Sequence, residues 1–277
     1  MNGLSYSMVK AINRYEPIEA DGVTLYPVCV AELDEFSVAQ EAITFLQQSL
    51  PVTLISKPLL QAYYTMEFQA SAAGEPSPGL FFRSVLALIL AMRVGVGLPT
   101  EKRLELAIPV PDRHDPKKLD CVIFQTEDGA KSITPLQFQR LRPILAAQNG
   151  IELESEDANP ELVQAERELA ELNAPKLDYS LESVKASISL ISGVNDAEMD
   201  EWPILRFKRQ RAALQRILGY LNCGMAEAQG AKWNGGNPYP SPLFDRIRGE
   251  SGGVIPMEKF AGGAGMRAMQ NAGKQTT

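Results

Sequence analysis

Residues 121–145 read Cys-Val-Ile-Phe-Gln-Thr-Glu-Asp-Gly-Ala-Lys-Ser-Ile-Thr-Pro-Leu-Gln-Phe-Gln-Arg-Leu-Arg-Pro-Ile-Leu, and their local character changes part-way along. Residues 121–126 are strand-like, Glu127-Asp-Gly129 supplies a turn with glycine where φ is free to be positive, and 130–133 form a return strand. Thr134-Pro135 then opens a helix, with threonine as N-cap and proline in the first turn, where its missing N–H costs nothing. From there Leu136, Phe138, Leu141, Ile144 and Leu145 mark an apolar helical side. Pro143, inside that run, is expected to kink or shorten the helix. Leu104–Ile108 reads as the strand before this hairpin.

Outward from this hairpin the chain reads as helix. Toward the N-terminus, Val23-Thr-Leu-Tyr-Pro-Val28 is a short strand with Pro27 at an edge or end. Leu33, Phe36, Ala39, Ile43 and Leu46 recur at helical steps, a second helix runs from near Pro58 to about Ala70, and a buried one spans 80–94. The aromatics Tyr63, Tyr64, Phe68, Phe81 and Phe82 fall at helical spacing and are assigned to the core. Residues 1–20 show no clear period and read as an arm. Toward the C-terminus, Asn159-Pro160 opens a helix with Leu162, Ala165, Leu169 and Leu172 on one stripe. Ser180 caps another, with Leu181, Val184, Ile188 and Ile191 inward and Gly193 at its end. A long helix from about 202 to 229 carries Phe207, Leu214, Ile217, Leu218, Leu221 and Met225 on one face. The expected fold is mainly α with a small β-hairpin element, a helical N-terminal block and a C-terminal helical bundle. Its divisions are an arm (1–20), a mixed α/β domain (21–150), a helical domain (151–230) and a Pro/Gly-rich extended tail (231–277).

Composition argues against several functional classes. The chain has 277 residues, an apolar fraction of 45%, a charged fraction of 22% and a formal net charge of −7, ordinary values for a globular chain. His114 is the single histidine, and it falls in the proline-bounded loop 111–116, a poor setting for a tuned proton shuttle. Asp112, His114 and Asp115 crowd one loop and are weakly pre-organised for a metal. The three cysteines, Cys29, Cys121 and Cys223, stand singly among apolar neighbours, which fits reduced, buried thiols rather than a zinc site or disulfide framework. No cofactor is expected, nor an enzyme. Met1–Tyr15 has no continuous apolar core, and the stretch 80–98 is interrupted by Arg83 and Arg93, so a soluble cytoplasmic protein without membrane association is expected.

Charge is unevenly distributed. Residues 150–201 hold 14 acidic and 3 basic residues, whereas 202–219 hold 5 basic residues and no acid. The plainest expectation is that the two blocks satisfy each other in an antiparallel bundle. The alternative is a basic face (Arg206, Lys208, Arg209, Arg211, Arg216) for nucleic acid or an acidic partner. Nucleic acid is disfavoured by the overall negative charge and by the absence of interleaved aromatics. Residues 230–248 set Trp233, Tyr239 and Phe244 on a Pro-Tyr-Pro-Ser-Pro segment that cannot form a helix. It is expected either to fold back as a strap or to serve as an extended ligand. Arg206, Arg209, Trp233, Tyr239 and Phe244 are therefore the candidate partner-binding residues.

The order of Val-Thr-Leu-Tyr-Pro-Val (23–28), Ser-Ile-Thr-Pro-Leu-Gln-Phe (132–138), Ala-Gln-Asn-Gly-Ile (147–151), Asn-Pro-Glu-Leu (159–162), Glu-Ala-Gln-Gly-Ala-Lys-Trp (227–233) and Pro-Ser-Pro-Leu-Phe-Asp-Arg (240–246) resembles phage tail assembly chaperones and related small tail-module proteins in prophages of Gram-positive bacteria. The likeness spans residues 20–248 and contains no catalytic motif. It implies a non-enzymatic protein of the host cytoplasm that binds the long, helical tape-measure protein and keeps it soluble while the tail tube assembles. It equally leaves room for a structural or adaptor protein retained in the virion, and for a homo-oligomer.

Overall fold

The computed structural model describes residues 4–154, 160–173, 180–233 and 236–244. The Asn159 cap and the glycine-rich tail beyond 244 lie outside the described residues. The fold is mainly helical with two small antiparallel sheets and a long C-terminal helix. The chain divides into two compact units within that last helix, one up to Arg211 and one from Ala212 onward.

The first unit begins with α1 (Tyr6–Arg14), β1 (Ile18–Ala20) and β2 (Val23–Leu25). The arm expected over residues 1–20 is thus corrected to a helix and a strand. Ser5 Oγ accepts from Met8 N, Tyr15 closes the helix in the left-handed region, and Ile12 is buried. A short helix of this kind is held by its caps and one buried residue rather than by an apolar period. Next come α2 (Leu33–Thr44), α3 (Leu59–Ala73) and α4 (Leu80–Ala91). α4 packs on both α2 and α3, and Val85 to Ala91 are buried without a break. Of the aromatics assigned to the core, Tyr63 and Phe81 are buried, Tyr64 and Phe68 are half-buried, and Phe82 faces out.

Helix α5 (Thr100–Leu104) takes Leu104, the residue expected to begin a strand, Glu105 and Leu106 form a turn, and β3 starts at Ala107 (Ala107–Pro111). It pairs with β4 (Leu119–Thr126), which pairs with β5 (Gly129–Ile133), in the order β3-β4-β5. The β4–β5 hairpin is the one read from the sequence. Val122 and Phe124 point into the core, against α3 and α6 (Pro135–Gln148). At the start of α6, Thr134 Oγ1 accepts from Gln137 N while Gln137 Oε1 accepts from Thr134 N, a reciprocal capping box. The helix continues past Pro143 to Gln148. Burial of Phe138, Leu141, Ile144 and Leu145 outweighs the one backbone hydrogen bond that the proline removes.

After α7 (Pro160–Asn173) come α8 (Leu181–Ser192), α9 (Asp196–Asp200) and α10 (Ile204–Ala228). Ser180 and Gly193 cap α8 as expected. The inward stripes expected of α7 and α8 are only partly covered. Ile188 is buried, while Leu169, Leu172 and Ile191 are exposed. The short α9 has no counterpart in the sequence pattern, because five residues are too few to show a period.

The C-terminus of α6 joins these pieces. Asn149 is fully buried, its Oδ1 accepts from Val28 N at 3.0 Å, and its Nδ2 donates to Leu145 O at 2.8 Å. Gln148 Nε2 donates to Leu25 O at 3.1 Å. Lys208 of α10 donates to the Asn149 and Gly150 carbonyls at 2.9 and 3.3 Å. The segment before α10 is bound to the same place, through Val30 N to Trp202 O and Ile204 N to Val28 O, each 2.9 Å.

These contacts set the cost of losing them. Asn149→Ala leaves the Val28 N–H buried without an acceptor, and chemical denaturation should report a loss of about 2 kcal/mol. Glu67 accepts from Phe81 N and Phe82 N at the start of α4, where Gly79 offers no side-chain cap. Burial holds its carboxyl above the usual range despite these bonds. A carboxyl raised in the folded state contributes stability below its unfolded pKa and loses it as pH rises through the folded value. Relative to Glu67→Gln, the wild-type chain should therefore lose unfolding free energy as pH rises from the ordinary carboxylate range through the raised folded value.

Candidate functional site

The candidate surface lies in the second unit, on α10 from Ala212 to Ala228 and on the residues after it. Taking 100° per residue, Arg216, Gly219, Cys223 and Glu227 lie along one side of the helix, whereas Leu214, Ile217, Leu218, Leu221 and Met225 centre on the opposite side. The two sides have different fates.

The first side carries the strap. Asn237 Nδ2 donates to Glu227 Oε1 at 2.9 Å, and Arg216 Nε donates to the Pro242 carbonyl at 3.2 Å. Between these ties the Tyr239 ring lies over Gly219, so close that a Cβ on Gly219 would stand 2.7 Å from Cδ2 and 2.8 Å from Cγ. Cys223, on the same stripe, is buried. The segment therefore runs back along the helix. An extended chain advances about 3.1 Å per residue and a helix about 1.5 Å, so the five steps from Asn237 to Pro242 span roughly the same distance as the eleven from Glu227 to Arg216. Ser241 Oγ accepts from Leu243 N and Phe244 N, turning the chain at the strap's end.

Among the described residues, the opposite side carries no strap. Ile217, Leu218, Leu221 and Met225 are 43%, 42%, 53% and 59% exposed. Leu243 and Phe244, just past the strap's tie to Arg216, are exposed as well. The sequence pattern places these helix residues on one face and gives Gly219 no role. The glycine stands out only as a low-propensity residue in mid-helix, and its partner Tyr239 is twenty residues away and follows no period.

The expected partner-binding residues fall in both units. In the first, the Arg206 guanidinium lies over the Trp202 ring at 4.1 Å. Arg209 Nη2 donates to Asn13 Oδ1 at 2.8 Å, and its guanidinium stands 5.6 Å from the Tyr15 ring. Lys208 caps α6, and burial lowers its pKa. These three cations thus serve local partners in the first unit, not the acidic block expected to neutralise them. In the second unit, Tyr239 is the ring seated on Gly219, Trp233 accepts from Gly236 N through its carbonyl, and Phe244 is 72% exposed.

No known protein family, curated protein or solved structure matches this chain. Asp112 Oδ1 accepts from His114 N and Asp115 N, which holds its carboxyl below the usual range and makes it the organiser of an exposed turn. Among the described residues no cluster of histidine, cysteine or carboxylate side chains is arranged to hold a metal, and no helix is long and apolar enough to cross a membrane. Burial pushes the Cys29 and Cys121 thiols up, away from the reactive thiolate.

The strap contact is directly testable. Alanine at position 219 improves intrinsic helix propensity by about 1 kcal/mol but meets the Tyr239 ring. Gly219→Ala should leave helix content unchanged and raise the rate of proteolytic cleavage between 231 and 244 several-fold, whereas Gly219→Ala combined with Tyr239→Ala should cleave no faster than Tyr239→Ala alone.

Proposed function

We propose that the chain is a non-catalytic client-binding protein of phage tail assembly, a chaperone that holds the tape-measure protein soluble before the tail tube forms around it. The observation that carries this reading is the apolar stripe Ile217, Leu218, Leu221 and Met225, exposed on a helix strapped along its other side. A stripe at this spacing fits an amphipathic partner helix. The order of motifs from 23 to 246 supplies the tail-assembly context, and a long tape-measure helix is the client that context implies.

The strap contributes by fixing the helix that displays the stripe, which limits the ordering cost on binding. Leu243 and Phe244, exposed at the strap's end, offer further apolar contacts. A role of this kind needs no tuned proton donor, consistent with an exposed His114 and with carboxylates that act as caps.

The test is co-expression with a phage tape-measure protein, followed by affinity capture. Leu221→Ala and Met225→Ala should each weaken capture by about 1 kcal/mol or more, and Phe244→Ala likewise. Because all three side chains are exposed, thermal stability should change by less than about 0.5 kcal/mol. Failure to capture the tape-measure protein, with the chain instead found at fixed stoichiometry in purified particles, would replace the chaperone with a structural adaptor of the tail.

A further inference from the structure

A second surface lies in the first unit. Val23, Thr24 and Tyr26 form one wall of a cleft of about 360 Å³, the Glu127–Asp128 turn with Thr126 and Lys131 forms another, and Met92, Arg93 and Val96 contribute the rest. Its volume is at the lower end of the range for ligand sites.

The β2 wall has a free backbone edge. Asp21 and Gly22 both have positive φ, 50° and 81°, the signature of a two-residue type I′ hairpin. In such a hairpin the pair beside the loop, Ala20 and Val23, exchanges both hydrogen bonds. The next pair, Glu19 and Thr24, turns its N–H and C=O groups outward. Thr24 thus presents a backbone donor and acceptor on the edge of β2, at a residue that lines the cleft. Beyond it the edge is occupied, since Tyr26 N donates to Ala91 O and Leu25 O accepts from Gln148.

Arg93 supplies a charge beside that edge. Its backbone has φ 55°, a left-handed conformation that is strained for a non-glycine residue. The guanidinium lies over the Tyr26 ring at 4.5 Å. Five N–H donors in a planar fork leave several for another acceptor. Across the cleft, Glu127 and Asp128 are exposed carboxylates on the turn.

We infer that this cleft binds an extended peptide, which pairs its backbone with Thr24, places a carboxylate on Arg93 and sets a cationic side chain against Glu127 and Asp128. Backbone pairing gives affinity irrespective of sequence, and the two opposite charges fix direction. The carboxylate belongs either to a chain terminus or to an acidic side chain.

The probes are the fluorescein-labelled pentapeptides Lys-Thr-Val-Thr-Glu and Glu-Thr-Val-Thr-Lys, each with a free and an amidated C-terminus, followed by anisotropy against the full chain. Saturable binding of one direction is expected. Loss on amidation assigns the carboxylate to the terminus, and retention assigns it to the side chain. Arg93→Gly removes the guanidinium and suits the left-handed backbone, so the fold should persist while affinity falls at least about tenfold. Arg93→Asn, also tolerant of that backbone, guards against a folding failure. Thr24→Pro removes the edge donor and should reduce binding of both charge variants. Three results would overturn the site: no saturable binding by any pentapeptide, equal affinity in the wild type and the Arg93 variants, or equal affinity for Lys-Pro-Pro-Pro-Glu, whose three central residues have no N–H to donate.

Discussion

The first unit depends on satisfying backbone groups where α6 ends deep inside the protein. A helix C-terminus leaves several carbonyls without intrahelical partners, and burying them costs more than most side-chain contacts return. Here the solution comes from two directions. Asn149 turns its side chain to bond both Leu145 and Val28, while Lys208 arrives from α10 to hold the Asn149 and Gly150 carbonyls. Gly150 takes φ 64°, and a Cβ there would stand 3.0 Å from Leu205 Cδ1, so the helix that brings the lysine needs glycine beneath it. The segment after β2, α6 and the start of α10 are thereby fixed by one set of polar contacts within an otherwise apolar core.

Those contacts also explain why the basic cluster does not act as a block. Five cations within residues 202–219 look like a binding stripe when counted along the sequence. In space, three of them serve three different neighbours. Lys208 completes a helix end, Arg206 shields the ring of a buried tryptophan, and Arg209 holds α1 and the residue after it. A cation already stacked or bonded has less to gain from a new anionic partner, so steering by charge is weaker here than the composition implies.

The parts legible in the sequence are those governed by neighbours within four residues. The Thr134–Gln137 capping box, the Ser180 and Gly193 caps and the β4–β5 hairpin each announce themselves by local chemistry. Elements held by distant partners do not. α1 is too short to show a period, α5 follows a proline that does not by itself mark a helix start, and Asn149 resembles any polar residue near a helix end. The apolar face of α10 is visible as a stripe, but whether a stripe is covered depends on what packs against it, which periodicity does not encode. The strap is legible as one of two outcomes because proline-rich aromatics must rest on something. That Tyr239 would choose Gly219 requires the third dimension.

The match between strap and helix also constrains how this region can change length. Two rulers of different pitch are tied at both ends, one advancing twice as far per residue as the other. Inserting one residue between Asn237 and Pro242 would shift the far tie by about two positions on α10 and carry Tyr239 off the glycine that receives it. Lengthening α10 by one residue between Gly219 and Glu227 would also rotate one tie by about 100° relative to the other. Substitution is therefore open to both spans where insertion and deletion are not, and in descendants of this chain the spacings from Arg216 to Glu227 and from Asn237 to Pro242 should drift more slowly than the residues that fill them.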